Sequence, residues 1–208
     1  MFHRRKVLLA LVETFGGKVA STDYFKLMFL FCQRTEQHHY DFFPHKYGAY
    51  SFLLQQDKRR LTNLGYLKPG VGFEIGGSHR FFNQLDAFTQ AELRSLHAEF
   101  GKLRGDKLLH RIYLEYPYYA SRSLVASRVL DQSEYRSVEQ SHSKNTASCL
   151  FTIGYEGISI DSYLNSLIAQ DIAALVDVRN NPISRKCGFS KSQLQKDQNL
   201  FTYFHLDC

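Results

Sequence analysis

Apolar residues recur at helical spacing through Leu8, Leu9, Leu11, Val12 and Phe15, and Gly16-Gly17 stops that pattern with the left-handed turn glycine permits. A second stripe, Phe25, Met28, Phe29 and Cys32 widened by Leu27 and Leu30, follows Ser21-Thr-Asp23, which suits a helix start. A third runs through Leu53, Leu54, Leu61 and Leu64, with Gln55, Gln56, Lys58, Arg59 and Arg60 between the leucines. Between the second and third lies an aromatic loop from Tyr40 to Tyr50, broken by Pro44 and Gly48. After Gly65 the pattern predicts a strand over 71–75, a glycine turn and a returning strand over 79–82. Three short helices followed by a hairpin predict a winged-helix-like α+β domain.

Thr89-Gln-Ala-Glu92 reads as a capping box opening a helix through Leu93, Leu96, Phe100 and Leu103. A further helix from about Asp106 carries Leu108, Leu109 and Ile112 inward and ends at Tyr116-Pro117. A short helix over about 122–130 precedes 131–148, which is rich in Ser, Gln, Glu and Asn and reads as a linker. Beyond it the period changes: a strand over 150–155, a helix over 160–170, a strand over 173–178, a helix from the capping box Ser190-Lys-Ser-Gln193 to about Leu200, and a strand over 202–206. Strands alternating with helices predict a parallel sheet. The fold class is therefore α/β in two parts. Residues 1–111 form the winged-helix-like domain with an extra helix, 112–148 a helical connector and polar linker, and 149–208 a partial α/β domain.

Charge sharpens the division of labour. The chain of 208 residues carries a net +6, and the first 110 residues, with 16 Lys and Arg against 10 Asp and Glu, account for all of it. Attraction to polyanions belongs to that half, and DNA is the partner it suits. Lys46, Lys58, Arg59 and Arg60, with His79 and Arg80 from the wing, are the nucleic-acid-binding candidates, set against the plainer reading of a solvated helix face. The aromatic loop, and Tyr113, Tyr116, Tyr118 and Tyr119, are read first as core filling, with a homodimer seam as a further use of the tyrosines. No apolar run approaches the roughly 18 residues of a spanning helix, and the apolar stretch 7–12 is too short for a signal peptide, so a cytoplasmic location is expected. Four scattered cysteines without zinc-ligand spacing predict free thiols, and neither a metal nor a cofactor is expected. Cys187, between Arg185-Lys186 and Gly188, is the one whose neighbours favour the thiolate, and Cys32 reads as packing.

In an open parallel sheet, ligands bind beyond the carboxyl ends of the strands. Gly154, Tyr155 and Glu156 follow the first predicted strand of the second domain, and Asp177, Arg179, Asn180, Ser184 and Arg185 follow the next, so both loops are expected to line one rim. Asp177 and Arg179, two apart, share a side of their strand, where they form either a phosphate clamp with Arg185 or a buried ion pair holding a loop. No residue is assigned a catalytic role, and a small anion is the expected ligand.

The segments Thr152-Ile-Gly-Tyr-Glu-Gly157, Val176-Asp-Val-Arg-Asn-Asn-Pro-Ile-Ser-Arg-Lys186, Gly188-Phe-Ser-Lys191 and Tyr203-Phe-His-Leu206 together resemble the domain of unknown function family 488, over about residues 150–206. The resemblance implies a prokaryotic α/β domain of unestablished activity, whose patterned positions fall on Gly154, Glu156, Asp177, Arg179, Pro182, Ser184 and Arg185. It also implies further strands and helices after the final His-Leu, so the domain is expected to be truncated. Three functions follow: a DNA-binding protein with an appended ligand-sensing or effector domain, an enzyme acting on a nucleotide or nucleic acid at the Asp177/Arg179 rim, or a shortened product with neither role.

Overall fold

A computed structural model of the protein describes residues 1–78, 80–141, 148–186, 188–195 and 200–206. It is rich in helix, with three small sheets, one of them parallel. His79, Cys187 and Cys208 lie outside the described residues, so the expectations for the His79 contact and the Cys187 thiolate lie there too.

The first 110 residues build around α1 (His3–Thr14) and α2 (Ser21–Thr35), whose apolar stripes are buried in one common core. Between them β1 (Lys18–Val19) pairs antiparallel with β4 (Phe73–Glu74), and Leu67 bridges Ile75 beyond it. The ribbon thus turns between 67 and 73. The returning strand expected at 79–82 is absent from the described residues there, since Glu13 receives the backbone N–H groups of Phe81 and Phe82 and a 3-10 turn follows at Phe82–Gln84. The aromatic loop contains a hairpin the pattern did not announce, β2 (Phe43–His45) against β3 (Gly48–Tyr50), with Pro44 opposite Ala49. Pro44 tolerates this because each strand of a two-stranded ribbon is an edge. Gly48 is required at its turn: φ is +83°, and a Cβ there would stand 2.8 Å from the Tyr113 ring. Ser51 caps α3 (Phe52–Asn63) by accepting from Leu54 N.

The helix α4 (Ala87–Phe100) begins earlier than its expected box. Asp86 is the cap, accepting from both the amide and the hydroxyl of Thr89 at 2.9 and 2.7 Å. After α5 (Asp106–Glu115), a 3-10 turn at Pro117–Ala120 and α6 (Ala126–Val129), the expected linker is in fact helical in its first half, as α7 (Gln132–Ser141). Asp131 and Glu134 form a reciprocal capping box there: Asp131 accepts from Glu134 N, and Glu134 accepts from Asp131 N, each at 2.9 Å. Only Val138 of this helix is fully buried, which is why its apolar period was too faint to read. The four tyrosines of this region turn inward. Tyr116 and Tyr119 pack on Phe29, Tyr113 meets Ser123 and Tyr118 meets Asn165.

A second hydrophobic core belongs to the last 50 residues. α8 (Ile160–Ala169), β5 (Ala174–Asp177), the short α9 (Lys191–Leu194) and β6 (Thr202–His205) place Ile160, Tyr163, Leu164, Leu167, Ile168, Leu175, Phe189, Leu194, Leu200 and Phe201 inside. One residue of this core comes from the other half: Phe43 of β2. The expected parallel pairing forms between β5 and β6, with Asp177 beside His205 and Leu175 beside Tyr203. The strand expected at 150–155 does not form, and Leu150 to Gly154 run exposed and irregular. Without a neighbouring strand its backbone groups gain nothing over water.

Candidate functional site

Alternation along β5 buries Leu175 and Asp177 on the side of α8 and leaves Ala174 and Val176 outside. A buried carboxylate must find donors, and Asp177 finds four. Oδ1 accepts from Arg179 N at 3.1 Å and Nε at 2.8 Å, while Oδ2 accepts from Arg179 Nη2 at 2.5 Å and from Tyr203 Oη at 2.6 Å. Arg179 Nη1 donates to the Phe189 carbonyl at 2.9 Å, and its guanidinium lies 5.2 Å from the Tyr155 ring centroid. Lys186 also sits over Tyr155 and Phe189 and donates to the Tyr155 carbonyl. The segment at Tyr155 and the loop after β5 come together through Tyr155, Arg179 and Phe189, although no strand precedes Tyr155. Gly188 allows this packing, with φ +89° and no room for a Cβ, which would lie 2.4 Å from Ile160 Cγ1.

The electrostatics follow from the contacts. Hydrogen bonding from Arg179 holds the Asp177 carboxyl well below the ordinary carboxylate range, while burial, then Asp177, pushes the Tyr203 phenol up to about 12. Asp177 is thus ionised with its four acceptor positions occupied, and has neither a proton nor a free lone pair for acid–base work. The ion-pair reading of Asp177 and Arg179 is the arrangement seen. What the rim can still offer an anion is cationic: the exposed Arg185, with Lys186 and Lys191 nearby. His205 Nε2 donates to the Arg179 carbonyl at 2.9 Å, and its Nδ1 lies 3.4 Å from Lys191 Nζ. Of the other expected rim residues, Ser184 accepts from Lys186 N at 3.2 Å, whereas Gly154, Glu156 and Asn180 are exposed. The sequence does not mark Tyr203, His205, Phe189 or Lys191 as rim residues; strand register sets His205 next to Asp177, and the Tyr203 side chain reaches Asp177 from the neighbouring pair.

The nucleic-acid candidates divide differently. Lys46, Arg59, Arg60 and Arg80 are exposed. Lys58 is not available on that surface: it is buried, its ammonium donates to the carbonyls of Gly70 and Val71 and lies 4.7 Å from the Phe73 ring, and burial lowers its pKa. It ties α3 to the turn of the ribbon instead. A shallow groove of about 190 Å³ runs there, lined by Gln55, Lys58, Arg59, Thr62, Asn63 and Gly70. Two cations of α1 are spent internally as well, since Arg4 Nε and Arg5 Nε each reach the buried Asp57 at 2.7 Å.

The two halves meet at the start of α3. Asp161, in the first turn of α8, is fully buried and accepts from Ser51 Oγ at 2.8 Å, Phe52 N at 2.6 Å and Leu53 N at 3.1 Å. Burial, against these hydrogen bonds, pushes its carboxyl up to about 6. Ser159 donates to Asp41 at 2.6 Å and Tyr118 to Asn165 at 2.9 Å across the same seam, beside a cavity of about 370 Å³. Among the described residues no group of three or more His, Cys, Asp or Glu is arranged to hold a metal ion, and no helix is long and apolar enough to cross a membrane.

Comparison with known families gives one match: residues 159–208 are similar to the family described as domain of unknown function DUF488, over about a quarter of the chain. The matched segment runs from the cap of α8 past β6, so it carries Asp161, Asp177, Arg179, Asn180, Ser184 and Arg185. Gly154, Tyr155 and Glu156 precede it. No curated protein and no solved structure matches the chain.

Proposed function

We propose that the protein binds nucleic acid through a winged-helix-like unit spanning residues 1–111, and that the DUF488-like unit at 149–208, joined through the helical connector 112–148, acts as a ligand-sensing or effector module. The winged-helix reading is supported by the succession α1, β1, α2, α3 and the ribbon in which β4 pairs with β1. The observation that carries the function is the outer face of α3, where Gln55, Arg59 and the adjacent Thr62 and Asn63, successive turns of one helix face, border a groove against the turn at Gly70. Gln and Asn read base edges and Arg engages phosphate or guanine, which is the side-chain set such a groove needs. The positive balance of the first 110 residues supplies the non-specific attraction.

Fluorescence anisotropy of a labelled 20-base-pair duplex tests this. Binding should weaken steeply between 50 and 200 mM salt, and Arg59→Ala and Arg60→Ala should each lower the logarithmic salt slope by about 0.9 for a lost phosphate contact. Absence of binding at 50 mM salt sinks the reading. At the rim a small anion is the ligand this reading favours, because Asp177 is saturated while Arg185 stays exposed.

A further inference from the structure

The cavity of about 370 Å³ at the seam is walled by both halves, with Ser162 and Asn165 of α8 on one side and the end of α2 and the loop after it on the other. Its size falls among small-molecule sites, which run from about 300 to 1,000 Å³. Two carboxylates line it, Glu36 and Asp41. Among the described residues neither is ion-paired, whereas Asp57, Glu74 and Asp177 each hold at least one lysine or arginine. Asp41 is half-buried, and its one hydrogen bond among the described residues comes from Ser159 Oγ at 2.6 Å. A carboxylate has about four acceptor positions, so most of its capacity faces the space unspent.

The surroundings add to this negative character. Cys32, Gln33 and Glu36 belong to the last turn of α2 and its cap, so the negative end of a 15-residue helix dipole borders the same space. Burial, then the charge of Asp41, pushes the Tyr119 phenol up to about 12, and the same charge adds to the burial that raises Asp161 and Cys32. Of the lining side chains only His38 can carry a positive charge, and it is exposed. A metal ion does not suit the lining, because among the described residues no three His, Cys, Asp or Glu are arranged for one. Tyr119 brings instead an aromatic ring, whose face attracts organic cations.

We propose that this cavity binds a small alkylammonium compound, whose N–H groups take the open acceptor positions of Asp41 and Glu36 while its carbon chain lies against Tyr119. Ser162 and Asn165 form the opposite wall, so the site is whole only while α8 is docked, and occupancy stabilises the docked state by mass action. The site is separate from the α3 groove and from the rim, and it stands whether or not the chain binds nucleic acid.

The experiment titrates the full chain with 1,4-diaminobutane at constant ionic strength. Calorimetry should show saturable binding, and at about ten times the Kd hydrogen exchange over α8 should slow about tenfold. Asp41→Asn, which keeps an acceptor for Ser159 and removes the charge, should weaken binding at least about tenfold. Glu36→Gln, at an exposed position, should weaken it about threefold. Wild-type affinity in Asp41→Asn overturns the proposal, and if that variant does not fold, wild-type affinity in Glu36→Gln does so. Equal protection of α8 by magnesium chloride or sodium chloride at matched ionic strength also overturns it, since screening of Asp41 would then suffice. So does the absence of both heat and protection up to about 10 mM diamine, weaker than any affinity such a site should have.

Discussion

Phe43→Ala is the substitution that separates the two cores. Phe43 is fully buried, stands 5.5 to 6.0 Å ring to ring from Phe52, His45 and Tyr50, and among the described residues is the one member of the second core's buried cluster that comes from the first half of the chain. Truncating a buried Phe to Ala costs about 3–5 kcal/mol through lost transfer energy and the cavity left behind. Among the described residues the second core is small, with eleven buried side chains, so removing its anchor should open that core and spare the first. Hydrogen exchange read by segment is the assay. Protection over α8 and β5 should fall by about two to three orders of magnitude, while α1 and α2 change by less than about tenfold. Uniform loss across both cores would refute the separation, and a loss below about 1 kcal/mol at α8 would refute the anchoring role of Phe43.

Three further outcomes follow from buried groups. Asp57→Ala strands Arg4, Arg5 and Tyr40 without their acceptor, and because the two arginines are 29% and 18% exposed, urea unfolding should show a loss of about 2–3 kcal/mol, somewhat under the cost of a fully buried broken pair. Asp161, whose carboxyl sits at about 6 against an ordinary 3.8, holds a proton in the docked seam that it releases when undocked between those values. Seam stability should therefore rise as pH falls through that window and be least above pH 6, by about 3 kcal/mol, with Asp41 the charged neighbour adding to the shift. Exchange protection over α8 measured from pH 4.5 to 7.5 should show this slope in the wild type and lose it in Asp161→Asn. Cys32, buried with its thiol pushed up to about 12, should be alkylated at pH 8 at least about a hundredfold more slowly than the exposed Cys149, read by peptide mass spectrometry.

Periodicity announced α1, α2, α3, α8 and the β5–β6 pair because each has an apolar face strong enough to stand alone in sequence. It failed where burial is shared among scattered residues. The β2–β3 hairpin is held by single rings meeting partners far along the chain, as at Gly48 and Tyr113, and α7 is set by a capping box rather than by a stripe. The strand expected at 150–155 had the right composition, but composition cannot supply the neighbouring strand a ladder requires. At the rim, the pairing of Asp177 with Arg179 follows from their two-residue spacing, while the fourth donor, Tyr203, reaches Asp177 diagonally from β6, where it is paired with Leu175. Lys58 shows the limit of reading a charged helix face from sequence. Its long apolar stem lets it lie across Phe73 and deliver its ammonium to backbone carbonyls, indistinguishable in sequence from its exposed neighbour Arg59. Nothing local in the sequence marks Asp161, a carboxylate whose partners are more than 100 residues away.

The claim that nucleic acid lies on α3 is tested most directly by mapping amide exchange on the full chain with and without a saturating duplex. Protection is predicted over residues 55–63 and around Gly70. Protection confined to residues 177–191, or unchanged exchange over α3, would contradict the account.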